Sequence, residues 1–390
     1  MKNRGYNHFI PHMRCPVSGC GLDYLVFGEN SQTAWPDGVL ISNAGHWYPV
    51  TKGVPRLLSG TLRGDYRAFW KRYEPELLSA GLKSKTIEND GSADASHRLS
   101  DDHQTQQSFG VKWNSQPHWG FEGGSAKVIN KWIQSKYGWE SPEAYQRMVK
   151  TRRRILDAGT GLGREVIRCA RANPNAMIFG IDLSESVISA AKNCADFTQT
   201  AILQADLLAP PFAPDSFDLI IAEGVLHHTP NTRAALFSLV ELMEPAGEIA
   251  FYVYRRKGPA REFCDDLLRD KITKLPPAEA FQQVQSLTRL GQTLSAVTQQ
   301  IDVPDIPMLN IRAGRYSVQR LFYWNFLKCF WNDNLSFEEN NLVNFDWYHP
   351  RYAHRHTIED VHAWIEEANL QPIWIKEEEA GITVRAVKKD

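Results

Sequence analysis

Residues 154–182 constrain the fold of this chain more than any other segment. They read RILDAGTGLGREVIRCARANPNAMIFGID: an apolar strand ends at Asp157, a glycine turn follows, and the next residues have helical periodicity up to Arg171. A second apolar strand, residues 177–181, ends at Asp182. This order predicts one βαβ unit with parallel strands and a crossover helix. Ligands of such units bind at the carboxyl ends of the strands, beside the glycine turn.

The spacing of the glycines distinguishes between two kinds of ligand. A nicotinamide site favours G-x-G-x-x-G, in which the third glycine lets helix and strand pack closely. Here Arg164 occupies that third position, and the third glycine, Gly163, comes one residue earlier. Asp157 stands two places before the first glycine, where a carboxylate faces the cationic end of a ligand better than a phosphate. The pattern D-x-G-x-G-x-G resembles motif I of the class I S-adenosylmethionine-dependent methyltransferases.

The elements that follow agree with this resemblance. In chain order they are a helix (185–196), two strands (201–204 and 217–222), a second helix (231–243) and a further strand (248–254). The turn at 244–247 is similar to the family's Leu-Lys-Pro-Gly-Gly turn and departs from it at Glu244 and Ala246. The resemblance implies an α/β, Rossmann-like fold with a seven-stranded, mostly parallel sheet. It also implies an enzyme, a methyltransferase with S-adenosylmethionine as its cofactor.

The resemblance assigns roles to three acids that end successive strands. Asp182 corresponds to the acid that accepts both ribose hydroxyls, and Asp206 to the acid that binds the adenine amino group. Asp157 and the glycine backbone correspond to the site of the methionine tail. The alternative is that each aspartate is a turn or N-cap residue. The cofactor-binding residues implied are Asp157, Gly159, Gly161, Gly163, Asp182, Leu183, Asp206, Leu207 and Glu223.

Composition bounds the class of protein. The 390 residues are 43% hydrophobic and carry a net charge of −1, which argues against a dedicated nucleic-acid binder. No run of eighteen apolar residues occurs, and residues 1–14 lack the apolar core of a signal peptide, so we expect a cytoplasmic protein with no membrane association. The six scattered cysteines do not resemble a disulfide framework.

The first 60 residues resemble a small Trm112-like zinc-ribbon domain. Cys15 and Cys20 correspond to the first ligand pair, but Ile41 and Ala44 occupy the places of the second. A structural zinc site needs four ligands. His12 and His46 are possible substitutes; we expect a degenerate ribbon without metal. The predicted domains are the ribbon (1–60), a helix and flexible linker (61–106), the cofactor-binding core (107–254), a helical cap (255–355), and the last helix and β-hairpin of the core (356–390).

Two segments outside the core motifs are expected to complete the site. Residues 108–124 are rich in aromatic residues and glycine, and they are expected either to fold over the cofactor or to pack the next helix against the sheet. Residues 255–355 show helical periodicity and many aromatic residues, which favours a cap over the carboxyl ends of the strands. Within the cap, 321–331 is predicted to be a buried helix. Thr357 to Asp360 is predicted to form a capping box for the last helix.

Candidate catalytic and acceptor-binding residues follow from this arrangement. A general base is needed only if the acceptor loses a proton. His228 and Tyr254 are the favoured candidates because they follow strands; His227, Asp346 and His356 are the others, and the histidine pair is alternatively an ordinary loop. Arginines in the cap suit an anionic acceptor, unless they form a solvated helix face with neighbouring acids. The predicted acceptor-binding residues are Trp113, Arg261, Arg315, Arg320, Asp346 and Tyr348.

These observations favour a methyltransferase that modifies an oxygen or nitrogen atom of a small, anionic metabolite. Three alternatives remain open: an RNA or protein methyltransferase, a transferase of another part of the cofactor such as its aminocarboxypropyl group, and a binding protein without turnover. The sequence leaves the acceptor's identity and the oligomeric state undetermined.

Overall fold

The computed structural model describes residues 6–27, 35–83, 101–116, 119–121 and 123–389. Its strands are β1 (Leu22–Val26), β2 (Gly38–Ser42), β3 (Trp47–Thr51), β4 (Val54–Leu57), β5 (Arg154–Ala158), β6 (Met177–Asp182), β7 (Thr200–Ala205), β8 (Phe217–Ala222), β9 (Met243–Tyr254), β10 (Gln300–Val303), β11 (Gly314–Ser317), β12 (Leu370–Glu377) and β13 (Gly381–Lys388). Its α-helices are α1 (Arg67–Arg72), α2 (Glu74–Ser79), α3 (Asp101–Ser115), α4 (Gly123–Lys136), α5 (Pro142–Lys150), α6 (Arg164–Ala172), α7 (Val187–Asn193), α8 (Thr232–Glu241), α9 (Pro259–Ile272), α10 (Pro277–Ser295), α11 (Val318–Asn325), α12 (Phe337–Tyr348) and α13 (Ile358–Glu367).

A mostly parallel sheet forms the centre of the molecule. Its strands follow the order β7-β6-β5-β8-β9-β13-β12. The first five of these, from β7 to β9 in this order, run parallel to one another. The strands β5, β6 and β8 are apolar because both faces of the sheet are covered. Parallel strands bring their carboxyl ends to one edge, so Asp157, Asp182 and Asp206 lie at the same edge. The predicted α/β, Rossmann-like fold is confirmed.

The sheet is larger than the seven strands predicted. β1 to β4 form an antiparallel meander, and β4 then pairs in parallel with β7, which gives eleven strands in the described residues. Arg56 on β4 supports this junction: its guanidinium donates to Gln204 Oε1 (2.8 Å) and to Glu185 Oε1 (2.9 Å). The predicted boundary at residue 60 therefore does not separate two sheets.

Around the predicted ribbon cysteines the contacts are those of a packed core. Cys15 is buried with its Sγ 3.1 Å from the Tyr48 hydroxyl. Within the ranges that the structure describes, no group of three or more histidine, cysteine, aspartate or glutamate side chains is placed to hold a metal ion.

The predicted flexible linker is only partly covered by the structure. Residues 84–100 lie outside the described residues, but residues 101–106 belong to α3, so the linker prediction was wrong there. The polar side chains of α3 are bonded to the cap: Ser108 Oγ lies 2.8 Å from His349 Nδ1, and Gln104 Nε2 donates to the His349 carbonyl (2.8 Å). The polar composition of this segment suggested a solvent-exposed linker. Its partners in the cap are distant in the chain, so the local sequence does not reveal them.

The insertion 255–355 contains four helices, α9 to α12, and the hairpin β10–β11. The helix predicted over 321–331 is shorter: it ends at Asn325, and the chain continues without regular structure. The last helix, α13, begins with the predicted capping box between Thr357 and Asp360. No helix among the described residues is long and apolar enough to cross a membrane.

Candidate active site

The glycine turn between β5 and α6 has a backbone that side chains would disturb. Gly159 has a φ of 77°, and a Cβ atom there would lie 2.4 Å from Val225 Cγ2. Gly163 has a φ of 84° and is the N-cap of α6. L-residues rarely adopt these left-handed conformations. The turn is therefore fixed by its glycines, and α6 starts directly behind it.

The three predicted acids lie around this turn. Asp182 accepts the backbone N–H groups of Gly161 (2.9 Å) and Ser184 (2.8 Å), and Asp157 accepts the Thr160 hydroxyl (2.7 Å). Burial raises the pKa of the Asp157 carboxyl to about 7 and raises the pKa of Asp182 and of Asp206 as well. None of the three forms an ion pair with a described residue. Buried carboxylates of this kind are suited to a ligand that brings hydroxyl, amino or ammonium donors.

A cavity of about 130 Å³ lies beside these acids, and we call it the acid-lined cavity. Six predicted cofactor residues line it directly: Gly159, Asp182, Leu183, Asp206, Leu207 and Glu223. Its other walls include Phe109, Trp113 and His228.

A second cavity of about 480 Å³ lies next to the first under the cap, and we call it the aromatic cavity. The two share Lys112, Trp113, Gly159, Glu223 and Gly224 in their walls. On the turn side the aromatic cavity is lined by Asp157, Gly161 and Arg164. On the cap side it is lined by Trp132, Tyr252, Tyr254, Arg320, Tyr323, Trp324, Lys328, Phe330 and Asp346. The two cavities are therefore neighbours at the glycine turn.

Helix α3 covers the junction of the two cavities. A Cβ atom at Gly161 would lie 3.2 Å from the indole of Trp113, so this ring rests on the glycine turn. Lys112 forms an ion pair with Asp346 of the cap at 2.8 Å. The part of the aromatic segment that belongs to α3 thus lies over the glycine turn, as the first of the two alternatives given above predicts.

Residues 150–301 match the model of a protein family described as "Methyltransferase domain". The match supports the predicted enzyme class and S-adenosylmethionine as the cofactor.

Three curated relatives are similar in sequence to part of this chain. An uncharacterized protein of Synechococcus is 32% identical over 31% of this chain and 31% of its own length. The 27-O-demethylrifamycin SV methyltransferase of Amycolatopsis mediterranei is 33% identical over 25% of this chain and 37% of its own. The malonyl-[acyl-carrier protein] O-methyltransferase of Legionella pneumophila is 30% identical over 30% of this chain and 42% of its own. The chain thus spans less than half the length of each relative.

Among solved structures, the chain is similar to the magnesium protoporphyrin IX methyltransferase of Synechocystis with bound S-adenosylmethionine. The two are 13% identical, with a TM-score of 0.41, over 76% of this chain and all of the other.

His228 has the tautomer and the free nitrogen that a base requires. Its Nδ1 lies 2.7 Å from the Tyr352 carbonyl, which can only accept, so Nδ1 carries the hydrogen. Its Nε2 has no hydrogen-bond partner in the described part of the chain, and the residue lines the acid-lined cavity. Burial lowers the pKa of His228 to about 4, so the ring is neutral at pH 7. By contrast, His227 lines neither cavity and stacks on Tyr254 with ring centres 3.7 Å apart.

This depressed pKa predicts a pH dependence of stability. Between pH 6.5 and 4 the unfolded chain binds a proton at position 228 that the folded chain does not, so stability falls as pH falls. The three buried acids beside the acid-lined cavity have the opposite effect on stability. Because their pKa values are raised, lowering the pH favours the folded chain at these groups. We therefore compare thermal unfolding of the wild type with His228→Gln, in which the acid contributions cancel. The wild type is expected to lose up to about 1.4 kcal/mol more per pH unit in this window. Parallel curves would contradict the buried, neutral histidine.

Tyr254 and Asp346 meet at the wall of the aromatic cavity. The Tyr254 hydroxyl donates to Asp346 Oδ2 (3.2 Å). Burial and the adjacent Asp346 raise the pKa of Tyr254 well above its usual value, so this hydroxyl stays protonated. The ammonium of Lys112 and the neighbouring His228 hold the pKa of Asp346 below its usual range despite burial. Tyr254 is therefore a hydrogen-bond donor rather than a base in this geometry.

Three predicted acceptor-binding residues lie outside both cavities. Arg261 is buried and donates to Asp265 Oδ2 (2.5 Å), and Tyr348 donates its hydroxyl to Asp265 Oδ1 (2.8 Å). Both residues stabilise the inside of the cap. Arg315 lies on the exposed hairpin strand β11. The predicted cluster of cap arginines is thus divided: Arg320 alone among the predicted arginines lines the aromatic cavity.

The candidate base His356 is also displaced from the cavities, since its Nε2 lies 3.0 Å from Thr232 Oγ1. Glu223 lines both cavities, but its carboxylate accepts from Lys136 and from the Tyr137 hydroxyl (2.6 Å). The carboxylate therefore has two donors within the protein.

Sequence reasoning missed several residues of the aromatic cavity. They are Lys112, Trp132, Tyr252, Tyr323, Trp324 and Lys328. Tyr252 stands two positions before Tyr254 on β9 and therefore on the same face, which is a signal that could have been used. The others come from α3, α4 and the cap, where only the tertiary fold brings them together.

Proposed function

We propose that this chain transfers the methyl group of S-adenosylmethionine to an oxygen or nitrogen atom of a small, anionic acceptor. The observation that carries the proposal is the pair of adjacent cavities at the glycine turn, one lined by acids and the other by aromatic and cationic side chains. The named acceptors of two relatives, a rifamycin and a malonyl-[acyl-carrier protein], favour metabolite chemistry over RNA.

The residues fit the cofactor. Asp182 would accept the ribose hydroxyls, Asp206 would accept the adenine amino group, and Asp157 would face the ammonium group of the methionine tail. The turn requires glycine at positions 159 and 161, because Cβ atoms there would meet Val225 and Trp113. When bound, the cofactor supplies an electrophilic methyl group on a sulfonium.

The protein mainly aligns the reactants and excludes water in such a displacement. Trp113 and Lys112 on α3 cover the junction where the two reactants would meet. If the acceptor atom carries a proton, His228 Nε2, which has no partner among the described residues, would receive it, while the Tyr254 hydroxyl stays bonded to Asp346. Arg320 and Lys328 at the far wall favour an acceptor with negative charge.

The test is to incubate the protein with methyl-deuterated S-adenosylmethionine and a fractionated pool of small acids, and to follow the masses of the products. We expect an acid that gains one labelled methyl group, with formation of S-adenosylhomocysteine. A gain of the aminocarboxypropyl mass would replace methylation with the other transfer reaction. Cofactor binding without product in any fraction would favour the binding-protein alternative.

A further inference from the structure

The cap side of the aromatic cavity has an excess of positive charge. We call its surface the cap wall, formed by Arg320, Tyr323, Trp324, Lys328 and Phe330. Lys328 is 6% exposed; its ammonium lies 4.8 Å from the centre of the Trp347 ring and forms no ion pair with the residues that the structure describes. The guanidinium of Arg320 lies 5.5 Å from the centre of the Tyr323 ring and likewise has no ion-pair partner in those ranges.

The acids near the cap wall already have cationic or other donors. Asp346 is paired with Lys112, and Asp265 with Arg261. Burial lowers the pKa of Lys328 to about 7, although Asp346 acts in the opposite direction. A buried cation without a counter-charge is unfavourable, and a bound anion would compensate it.

The backbone of the cap wall cannot contribute further donors. Four amide groups along it donate to side chains: Arg320 N to Ser317 Oγ (3.3 Å), Lys328 N to Asp265 Oδ1 (3.2 Å), Phe330 N to Asn344 Oδ1 (2.7 Å) and Asn332 N to Asn340 Oδ1 (2.7 Å). Phosphate sites usually offer several free N–H groups. Two side-chain cations without such groups match a singly charged carboxylate better.

The remaining surface of the cap wall is formed by aromatic rings. The rings of Tyr323 and Trp324 lie 4.2 Å apart at an angle of 61°, and Phe330 lies 5.9 Å from Tyr323. Trp113 closes the cavity on the opposite side, at the glycine turn. Aromatic faces and edges of this kind favour a planar ring.

We infer that the acceptor is a ring-bearing aromatic carboxylic acid, whose carboxylate binds Lys328 and Arg320 and whose ring lies between the cap wall and Trp113. This inference rests on the proposed function, because it specifies the acceptor of the same site. It makes Lys328 the residue that selects the negative charge.

The test is calorimetric titration of the full chain, with and without S-adenosylhomocysteine, using benzoate, 4-hydroxybenzoate and indole-3-carboxylate. Phenol, cyclohexanecarboxylate and phenyl phosphate are the comparison ligands. We expect at least one aryl carboxylate to bind about tenfold or more tightly than phenol and cyclohexanecarboxylate. Failure of all three aryl carboxylates to bind, or tighter binding of phenyl phosphate, would overturn the inference.

Variants of two cap-wall residues test whether the cap wall causes the preference for carboxylates. Lys328→Met keeps the length of the side chain and should abolish the advantage of the carboxylate over phenol, while S-adenosylhomocysteine affinity stays normal. Arg320→Gln, at a half-buried position, should reduce the same advantage and covers the case in which Lys328→Met does not fold. Lys274→Met, at an exposed position of the cap, is the matched control. An unchanged preference in both cap-wall variants would contradict the inference, whereas loss of cofactor binding by the wild type would contradict the proposed function.

Discussion

An Asp182→Ala variant is expected to bind S-adenosylhomocysteine about 1 to 3 kcal/mol more weakly than the wild type. The buried carboxylate would lose its place as the charged acceptor of the ribose hydroxyls. It also accepts the N–H groups of Gly161 and Ser184, so its removal would release the glycine turn from β6. Isothermal titration of the two proteins under the same buffer conditions measures the difference.

Two further variants separate the role in binding from a general loss of structure. Asp182→Asn keeps the size and one acceptor oxygen, so we expect an affinity between those of the wild type and the alanine variant. Asp196→Ala removes an exposed carboxylate just beyond α7 and should bind like the wild type. If the wild type and a folded Asp182→Ala protein bind S-adenosylhomocysteine with equal affinity, Asp182 does not contribute to cofactor binding.

The cofactor side of the site could be predicted from sequence because its signals are local. Asp157 and Asp182 each end a strand, and the positions of parallel strand ends follow from the topology. The glycines fix their own backbone conformation, so Gly159 and Gly163 needed no knowledge of distant residues. Their placement follows from the order of strands and turns alone.

The acceptor side could not be predicted in the same way because it depends on which cap charges find partners. Arg261 and Lys328 are both buried basic residues of the cap, yet one is paired with Asp265 and the other faces the cavity. Nothing in their neighbouring sequence distinguishes them. Lys112 comes from a polar segment whose helix is held by contacts with His349, more than two hundred residues away in the chain.

The N-terminal strands illustrate a different limit. The ribbon-like pattern of residues 1–60 predicted a separate small domain, and its strands do form an antiparallel meander. Whether such a meander stands alone depends on its edge. Here the edge strand β4 pairs with β7, and Arg56 donates a hydrogen bond to Gln204. No local sequence pattern predicts this junction.

We expect an Asp265→Ala substitution to lower the free energy of unfolding by about 3 to 5 kcal/mol. The buried carboxylate fills all its acceptor positions: Oδ2 accepts from Arg261 Nε (2.5 Å) and Trp347 Nε1 (2.8 Å), and Oδ1 accepts from the Tyr348 hydroxyl (2.8 Å) and Lys328 N (3.2 Å). Its removal leaves a buried guanidinium without its counter-charge and the N–H groups of Trp347 Nε1 and Lys328 without a partner, while the Tyr348 hydroxyl can still donate to the Lys328 carbonyl (3.0 Å). Urea unfolding followed by tryptophan fluorescence measures the change.

Asp270→Ala provides the matched control on the same helix, α9. Its ion pair with Lys274 is largely exposed, so its loss should leave the free energy of unfolding nearly unchanged. Because Asp265 also fixes the backbone of Lys328, its replacement should weaken the binding of an anionic acceptor while leaving cofactor affinity unchanged. Equal urea midpoints for the two variants would contradict the assigned role. A stability loss with normal acceptor binding would show that Asp265 holds the cap together without positioning Lys328.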